Sequence, residues 1–171
     1  MTTPHNEDLS NLIVDLMTYQ AFVAGLTHIP DMMANEGLTF QESLLRIITE
    51  TCDSEFAFAA IQDPAQGKLR VFACYPNPLP IDLPAYLDAP FLLSVVEHER
   101  HDIVANTSAQ GKSIAEGIRC AFAVPYRHWG AKCLVCVCNR SPESYARPAL
   151  GVPYVSHEIK MTQGLLALRP I

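Results

Sequence analysis

The order of apolar and polar residues divides the chain into extended and helical stretches. Its clearest passage is a pair of apolar runs, Ile118 to Tyr126 and Ala131 to Arg140, separated by Arg127-His128-Trp129-Gly130. Successive side chains of an extended segment point to opposite faces. Cys120, Phe122 and Val124 therefore share one face of the first run, and Ala121, Ala123 and Pro125 the other. In the second run Leu134, Cys136 and Cys138 oppose Cys133, Val135 and Val137. The two runs read as a hairpin, and neither of its faces is polar. Both must then be covered, by helices on one side and on the other by something that is often the roof of a cavity. That asymmetry suggests a ligand-binding domain.

A second hairpin is predicted upstream, where SEFAFAAIQ (Ser54 to Gln62) and KLRVFACY (Lys68 to Tyr75) flank a Pro- and Gly-containing turn. Helical periodicity occurs before it. Leu9, Leu12, Ile13, Leu16 and Met17 form one stripe of a helix capped by Asn6 and running to about Gly25. Thr39 and Glu42 have capping-box spacing at the head of a helix whose buried face is Phe40, Leu44, Leu45, Ile47 and Ile48. Thr27 to Gly37, interrupted by Pro30, reads as a connector with one short turn at most. Pro76 to Pro90 holds too many prolines for helix or central strand and is expected to be an ordered loop. Phe91 to His98 then forms a short helix, Ile103 to Ala105 a brief strand, and Ser108 to Gly117 a loop or single helical turn. Ser141 to Pro153 is too proline-rich to continue the strand. A final helix runs from about Tyr154 to Leu168, and the first and last helices are expected to pack side by side on one face of the sheet.

Several of these stretches resemble a known family. Gly117-Ile118-Arg119-Cys120 leading into Ala123-Val124-Pro125-Tyr126, then Gly130 and a second apolar strand, is similar to the central signature of GAF domains. Val95-Val96-Glu97-His98 and Asp102-Ile103-Val104-Ala105-Asn106-Thr107 resemble the helix and strand that precede it. Cys120 stands where serine is common in the family, Tyr126 where leucine is, Asn106 where aspartate often is, and Cys133-Leu134 where a glycine is common. The likeness runs from about Leu38 to Arg140. It implies an α+β fold: a PAS-related, GAF-like central antiparallel sheet of five or six strands. The N- and C-terminal helices would pack on one face, with loops and short helices over a pocket on the other. The whole chain, residues 1–171, is then one domain, with an N-terminal helix over about 6–25, a core over about 38–140 and a C-terminal helix over about 154–168.

Bulk properties are consistent with this reading. A chain of 171 residues, 49% of them hydrophobic and 18% charged, suits one domain with a substantial core. Some of its apolar surface is expected to go into self-association. The formal net charge of -6, without a Lys/Arg cluster, argues against a direct grip on nucleic acid, which needs concentrated positive charge. No apolar run approaches the ~20 residues needed to span a bilayer, and Met1 to Asp8 does not have the pattern of a signal peptide. A cytoplasmic protein with six reduced cysteines is expected, with no membrane partner.

The candidate chemistry is sparse. Cys133-x-x-Cys136-x-Cys138 has a metal or redox spacing, but strand alternation puts Cys133 opposite the other two, so buried thiols acting as small apolar groups are the simpler reading. Cys74 and Cys120 lie at strand ends and could meet a ligand or oxidant, or simply pack. The resemblance includes GAF proteins that reduce free methionine sulfoxide with loop cysteines, and Ser108 to Arg119 contains none. Glu97-His98-Glu99-Arg100-His101 fails the zincin pattern because its histidines are three residues apart. Some GAF sensors bind haem through histidine, and nothing singles out His98, His101, His128 or His157.

The resemblance puts Asn106, Thr107 and Ser108 at a pocket rim, with Phe91, Val95, Ile118 and Phe122 as its apolar wall. Ser108 could equally cap a helical turn, and the wall residues could be ordinary core. Cys74 and Cys120 complete the candidate set. No catalytic residue, metal site or cofactor is identified. A non-enzymatic sensor is expected, binding an unidentified small molecule, dimerising through its terminal helices and signalling to a protein partner in trans. A thiol-based redox sensor or methionine sulfoxide reductase-like enzyme, and a haem- or metal-binding sensor, are the alternatives.

Overall fold

The computed structural model describes residues 23–104, 106–128 and 130–141, with single positions or short pairs elsewhere in 13–20 and 146–166. Six strands form one antiparallel sheet: β1 Phe56–Gln62, β2 Leu69–Tyr75, β3 Tyr86–Leu87, β4 Asp102–Val104, β5 Cys120–His128 and β6 Ala131–Asn139. Their spatial order is β3-β2-β1-β6-β5-β4. The sheet is flanked by α1 Ile29–Asn35, α2 Phe40–Thr51, α3 Pro90–His98 and α4 Thr107–Gln110, and a separate pair follows it, β7 Ala146–Arg147 with β8 Val152–Pro153.

The side-chain sizes along the strands decide where the helices sit. On β1, Ala57 and Ala59 face one side and Phe56 and Phe58 the other. On β5 the sense is reversed, with Phe122 and Val124 on the first side and Ala121 and Ala123 on the second. Helices pack where the strands carry alanine. Thus α2 lies over β1 and β2, on the Ala57, Ala59 and Ala73 side, while α3 lies over β5 and β6 on the opposite face, above Ala121 and Ala123. The first face also buries Ile159 of the C-terminal segment. Elsewhere on the second face, Phe56, Phe58, Leu69 and Leu134 pack against Leu79, Ile81 and Leu83 of the proline-rich stretch. Two apolar layers on one sheet account for strands that are polar on neither side.

Local signals explain most boundaries. The Thr39 hydroxyl accepts the Glu42 N–H at 3.1 Å and the Glu42 carboxylate accepts the Thr39 N–H at 2.9 Å, completing the capping box. The β5–β6 strands run to His128 and resume at Ala131, leaving two residues for the turn, with Gly130 at φ +82. Between β1 and β2 the register shifts so that Ala59 faces Ala73 and Ala60 faces Val71. Phe72 is the extra residue of this bulge and is exposed.

Three expectations are corrected. Residues 27–37 contain the seven-residue helix α1, because Pro30 lies in its first turn, where a missing N–H costs nothing. The proline-rich loop includes β3, whose Tyr86 and Leu87 pair with Arg70 and Leu69. The region after β6 holds the short β7–β8 pair, in which Pro153 falls on a two-residue strand. The predicted first helix is helical at Ile13, Leu16, Met17, Gln20 and 23–26, and Gly25 packs directly on Ile47. Its Ile13, Leu16 and Met17 are exposed rather than packed on the sheet. In the predicted last helix Ile159, Thr162, Gln163 and Leu166 are helical. Asn6, Leu9, Leu12 and the ends of that helix lie outside the described residues.

Candidate functional site

The face beneath α3, α4 and residues 76–90 is where the predicted pocket would lie. Phe91 and Val95 project from α3 into it, Ile118 enters from the segment before β5, and all three are buried together. Cys74 packs half-buried at its margin, opposite Phe58 across β1–β2. Phe58 in turn faces Cys136 on β6. This face is filled by side chains: Phe56, Phe58, Leu92 and Leu134 are all at 0% exposure.

The polar rim is committed to local structure. Asn106 is the N-cap of α4, its side-chain oxygen accepting the Ala109 N–H at 3.2 Å, so the cap falls on Asn106 and not on Ser108. Buried Thr107 donates its hydroxyl to the Ile118 carbonyl at 2.9 Å, and its N–H donates to the Arg119 carbonyl at 2.9 Å. These two bonds strap α4 to the chain entering β5. Ser108 is exposed. Gly117 lies in the same strap at φ +92, and a Cβ there would come within 2.8 Å of Ile81. Glycine is thus required twice over, by backbone conformation and by the close approach of the proline-rich segment.

Cys120 and Phe122 do not join this group. Both point to the opposite face, under α2 and the C-terminal segment, with Val124, Val135 and Val137. The period-2 alternation already separated them from Ala121 and Ala123. What it lacked was the knowledge that α3 covers the alanine side of β5.

All six cysteines are free thiols, Cys74 half-buried and the other five buried. The Cys136 and Cys138 sulfurs are 3.5 Å apart on the second face, with Cys133 on the other side of the strand. Burial pushes the Cys74 thiol up, aided by the Glu42 charge. Burial also raises Cys133, to about 11 against a hydrogen bond from the His128 backbone, and holds Cys138 well above the ordinary thiol value, with Cys136 and Cys120 adding to the effect. A nucleophilic thiol needs its ionisation lowered, and these shifts run the other way. Among the described residues no group of three or more His, Cys, Asp or Glu side chains could hold a metal ion, and no helix is long and apolar enough to cross a membrane.

A second concavity lies on the α2 side. It is lined by Phe40, Leu44, Ala59 and Val135, by Leu166, and by Gln41, Tyr126 and His128. Its hollow is about 30 Å³ and opens into a depression of about 440 Å³ that is continuous with solvent. Sequence reasoning missed this place. Its one legible signal was the polar end of β5, Tyr126 and His128, on the same strand face as Phe122 and Val124.

No protein-family model matches the sequence, and no curated protein does. Solved structures do match in shape. The GAF domain of an Acinetobacter phosphoenolpyruvate-protein phosphotransferase superposes with TM-score 0.59 at 11% identity, over 88% of this chain and 93% of that one. The free methionine-R-sulfoxide reductase of Neisseria meningitidis, in complex with its substrate, gives 0.58 at 11% identity, over 85% and 87%. A further solved GAF domain gives 0.61 at 8% identity, over 90% of each chain.

Proposed function

From the GAF-like α+β fold that the chain adopts, we propose a non-enzymatic regulatory domain that senses a small molecule on the α3 side of the sheet and signals through a helical dimer interface. The observation that carries this reading is the closure of that side. The Thr107 bonds to Ile118 and Arg119 and the contact of Ile81 with Gly117 hold α4 and the proline-rich segment down on a filled apolar face. A ligand can enter only by lifting this cover, so binding and a change of shape are one event. Phe91, Val95, Ile118 and Cys74 would form its wall, Asn106 and Thr107 would exchange internal hydrogen bonds for bonds to it, and the exposed Ser108 hydroxyl would add a further one. Cys120 and Phe122, on the far face, would respond through the sheet.

The exposed Ile13, Leu16 and Met17 stripe, with Val23 beyond it, supports self-association through the N-terminal helix. A protein partner in trans would read the change. The likeness to a methionine sulfoxide reductase keeps a thiol enzyme as the second reading, and the upward thiol shifts weigh against it.

A thermal-shift screen of the full chain against cytoplasmic metabolites, with light scattering, tests the proposal. A ligand at about 100 times its Kd stabilises by about 2.7 kcal/mol, or roughly 5–11 °C for a chain of this size. Protection of amides in 106–119 upon binding is expected. A monomer at all concentrations, or a ligand turned over chemically, refutes the reading.

A further inference from the structure

We propose that Cys136 and Cys138 form a binding site for a small, uncharged, three-coordinate metalloid, of which arsenic(III) hydroxide, As(OH)3, is the type. Both side chains stand on the α3 face of β6, and their sulfurs are 3.5 Å apart. Side chains two residues apart on a strand are spaced by about 6.6 Å along it, so the two thiols lean toward each other. Sulfurs 3.5 Å apart, each bonded to one central atom at about 2.3 Å as in zinc–thiolate bonds, subtend an angle of about 100° there. That is the angle of a trigonal pyramid, the shape of trivalent arsenic with a lone pair as its fourth substituent. Soft ions of this kind prefer sulfur ligands.

The surroundings turn the commoner thiol-binding ions away. A tetrahedral ion such as zinc needs two further ligands, and among the described residues no group of three or more His, Cys, Asp or Glu side chains could hold one. A linear ion such as copper(I) would spread its sulfurs to about 4.6 Å at the same bond length. Two thiolates on one positive charge would also leave a negative charge to bury, which is costly. It would lie between Phe56 and Phe58, which face Cys138 and Cys136 from β1, and Ala121 and Ala123, which face them from β5. The arsenic product is neutral and suits that setting. At each sulfur an S–H and an As–O bond break, an As–S bond forms, and the displaced hydroxyl leaves as water with the thiol proton. Two such exchanges release two waters and leave one hydroxyl on the bound arsenic, with no change of oxidation state and no oxidant consumed.

Both thiols are at 0% exposure, so the metalloid reaches them only when this face opens. The smallest side chains beside the pair, Ala121 and Ala123, lie beneath α3, which packs on β5 and β6. Entry therefore displaces α3. The Phe91 ring of that helix lies under the Lys112 ammonium, 5.9 Å from the ring centroid, and Lys112 follows directly on α4, so a shift of α3 is felt in the cover that straps down this face. That binding is thereby signalled rests on the regulatory role proposed above; the binding itself does not.

Native mass spectrometry and calorimetric titration of the reduced full chain with sodium arsenite test the site. One arsenic per chain is expected, with the mass gain of As(OH)3 less two waters. Cys136→Ala and Cys138→Ala should each weaken binding about 100-fold or more, because the second As–S bond forms at the high effective concentration of a linked partner; Cys136→Ser serves if the alanine variant does not fold. Cys52→Ala and Cys133→Ala remove thiols outside the pair and should bind as the parent does. No saturable binding by about 0.1 mM, unchanged affinity in either pair variant, an equal loss in Cys52→Ala or Cys133→Ala, binding only in urea, or tighter binding of zinc overturns the proposal. Amide exchange over 106–119 in the same samples separates it from the regulatory reading. Arsenic bound with that cover undisturbed upholds the site and refutes the coupling, whereas a metabolite that protects the cover in a chain that does not bind arsenite refutes the site alone.

Discussion

Replacing Phe58 by alanine probes the claim on which the sensing model turns, that the α3 side of the sheet is filled rather than hollow. Phe58 is at 0% exposure between Cys74 on β2 and Cys136 on β6. A phenylalanine buries about 150–250 Å², which at about 25 cal/mol/Å² is worth about 4–6 kcal/mol. Alanine keeps part of this and the neighbours relax only in part, so a loss of about 3–5 kcal/mol is expected. For a chain of this length that lowers Tm by roughly 6–20 °C. Equilibrium urea denaturation with unchanged m measures it, with Phe72→Ala as the control, since Phe72 is the exposed bulge residue and should cost no more than about 1 kcal/mol. The vacated space should bind benzene, as an apolar cavity of that size does, and recover part of the loss. A cost below about 1.5 kcal/mol would mean that Phe58 already borders empty space, and the closed-face argument would be refuted.

Three further outcomes follow from single interactions. Gly117→Ala should cost about 2–3 kcal/mol, from the positive φ and the Ile81 contact together, and Ile81→Ala in the same chain should recover only the contact part; full recovery by thermal denaturation would show that φ carries no strain. Glu55 receives hydrogen bonds from the Arg140 backbone at 2.8 Å and from its guanidinium at 2.6 Å, which outweigh its desolvation and hold its carboxyl below the ordinary value of 4.5. A depressed carboxyl stabilises above its unfolded pKa and loses that contribution as pH falls through the folded one, so Glu55→Gln should be less stable than the parent at pH 7, by no more than about 1 kcal/mol, and equal to it near pH 3; a gap independent of pH contradicts the assignment. With an aromatic disulfide reagent at pH 8, Cys74 should be the first thiol to react in the native protein and the buried five should follow only on unfolding; fast labelling of Cys136 or Cys138 would revive the thiol enzyme.

How far the sequence discloses this molecule depends on whether a feature is written in one segment or in the meeting of two. Thr39 and Glu42 state the start of α2 by themselves, and the alternation over 118–140 states a hairpin with two dry faces; both are in the structure as read. Pro30 and Pro90 mark helix starts, but the same residue type can break a helix, and only its place relative to the first turn distinguishes the two. The candidate residues divide between the two faces where they required two segments to be placed on the same side. Grouping Cys120 and Phe122 with Phe91 and Val95 requires knowing which face α3 takes, and the alternation alone does not say. Residue size did carry that information. Helices need flat ground, β1 is flat on its Ala57 and Ala59 side, and β5 is flat on its Ala121 and Ala123 side, so the two helices must lie on opposite faces. Phe122 then has to fill the space beside α2, and Phe56 and Phe58 the space beside α3. The small hollow at the Tyr126 end of the sheet lies between the first turn of α2, at Phe40 and Leu44, and the short side chains of Ala59 and Val135. The same complementarity of alanine and phenylalanine that closes the α3 side thus leaves the opening under α2.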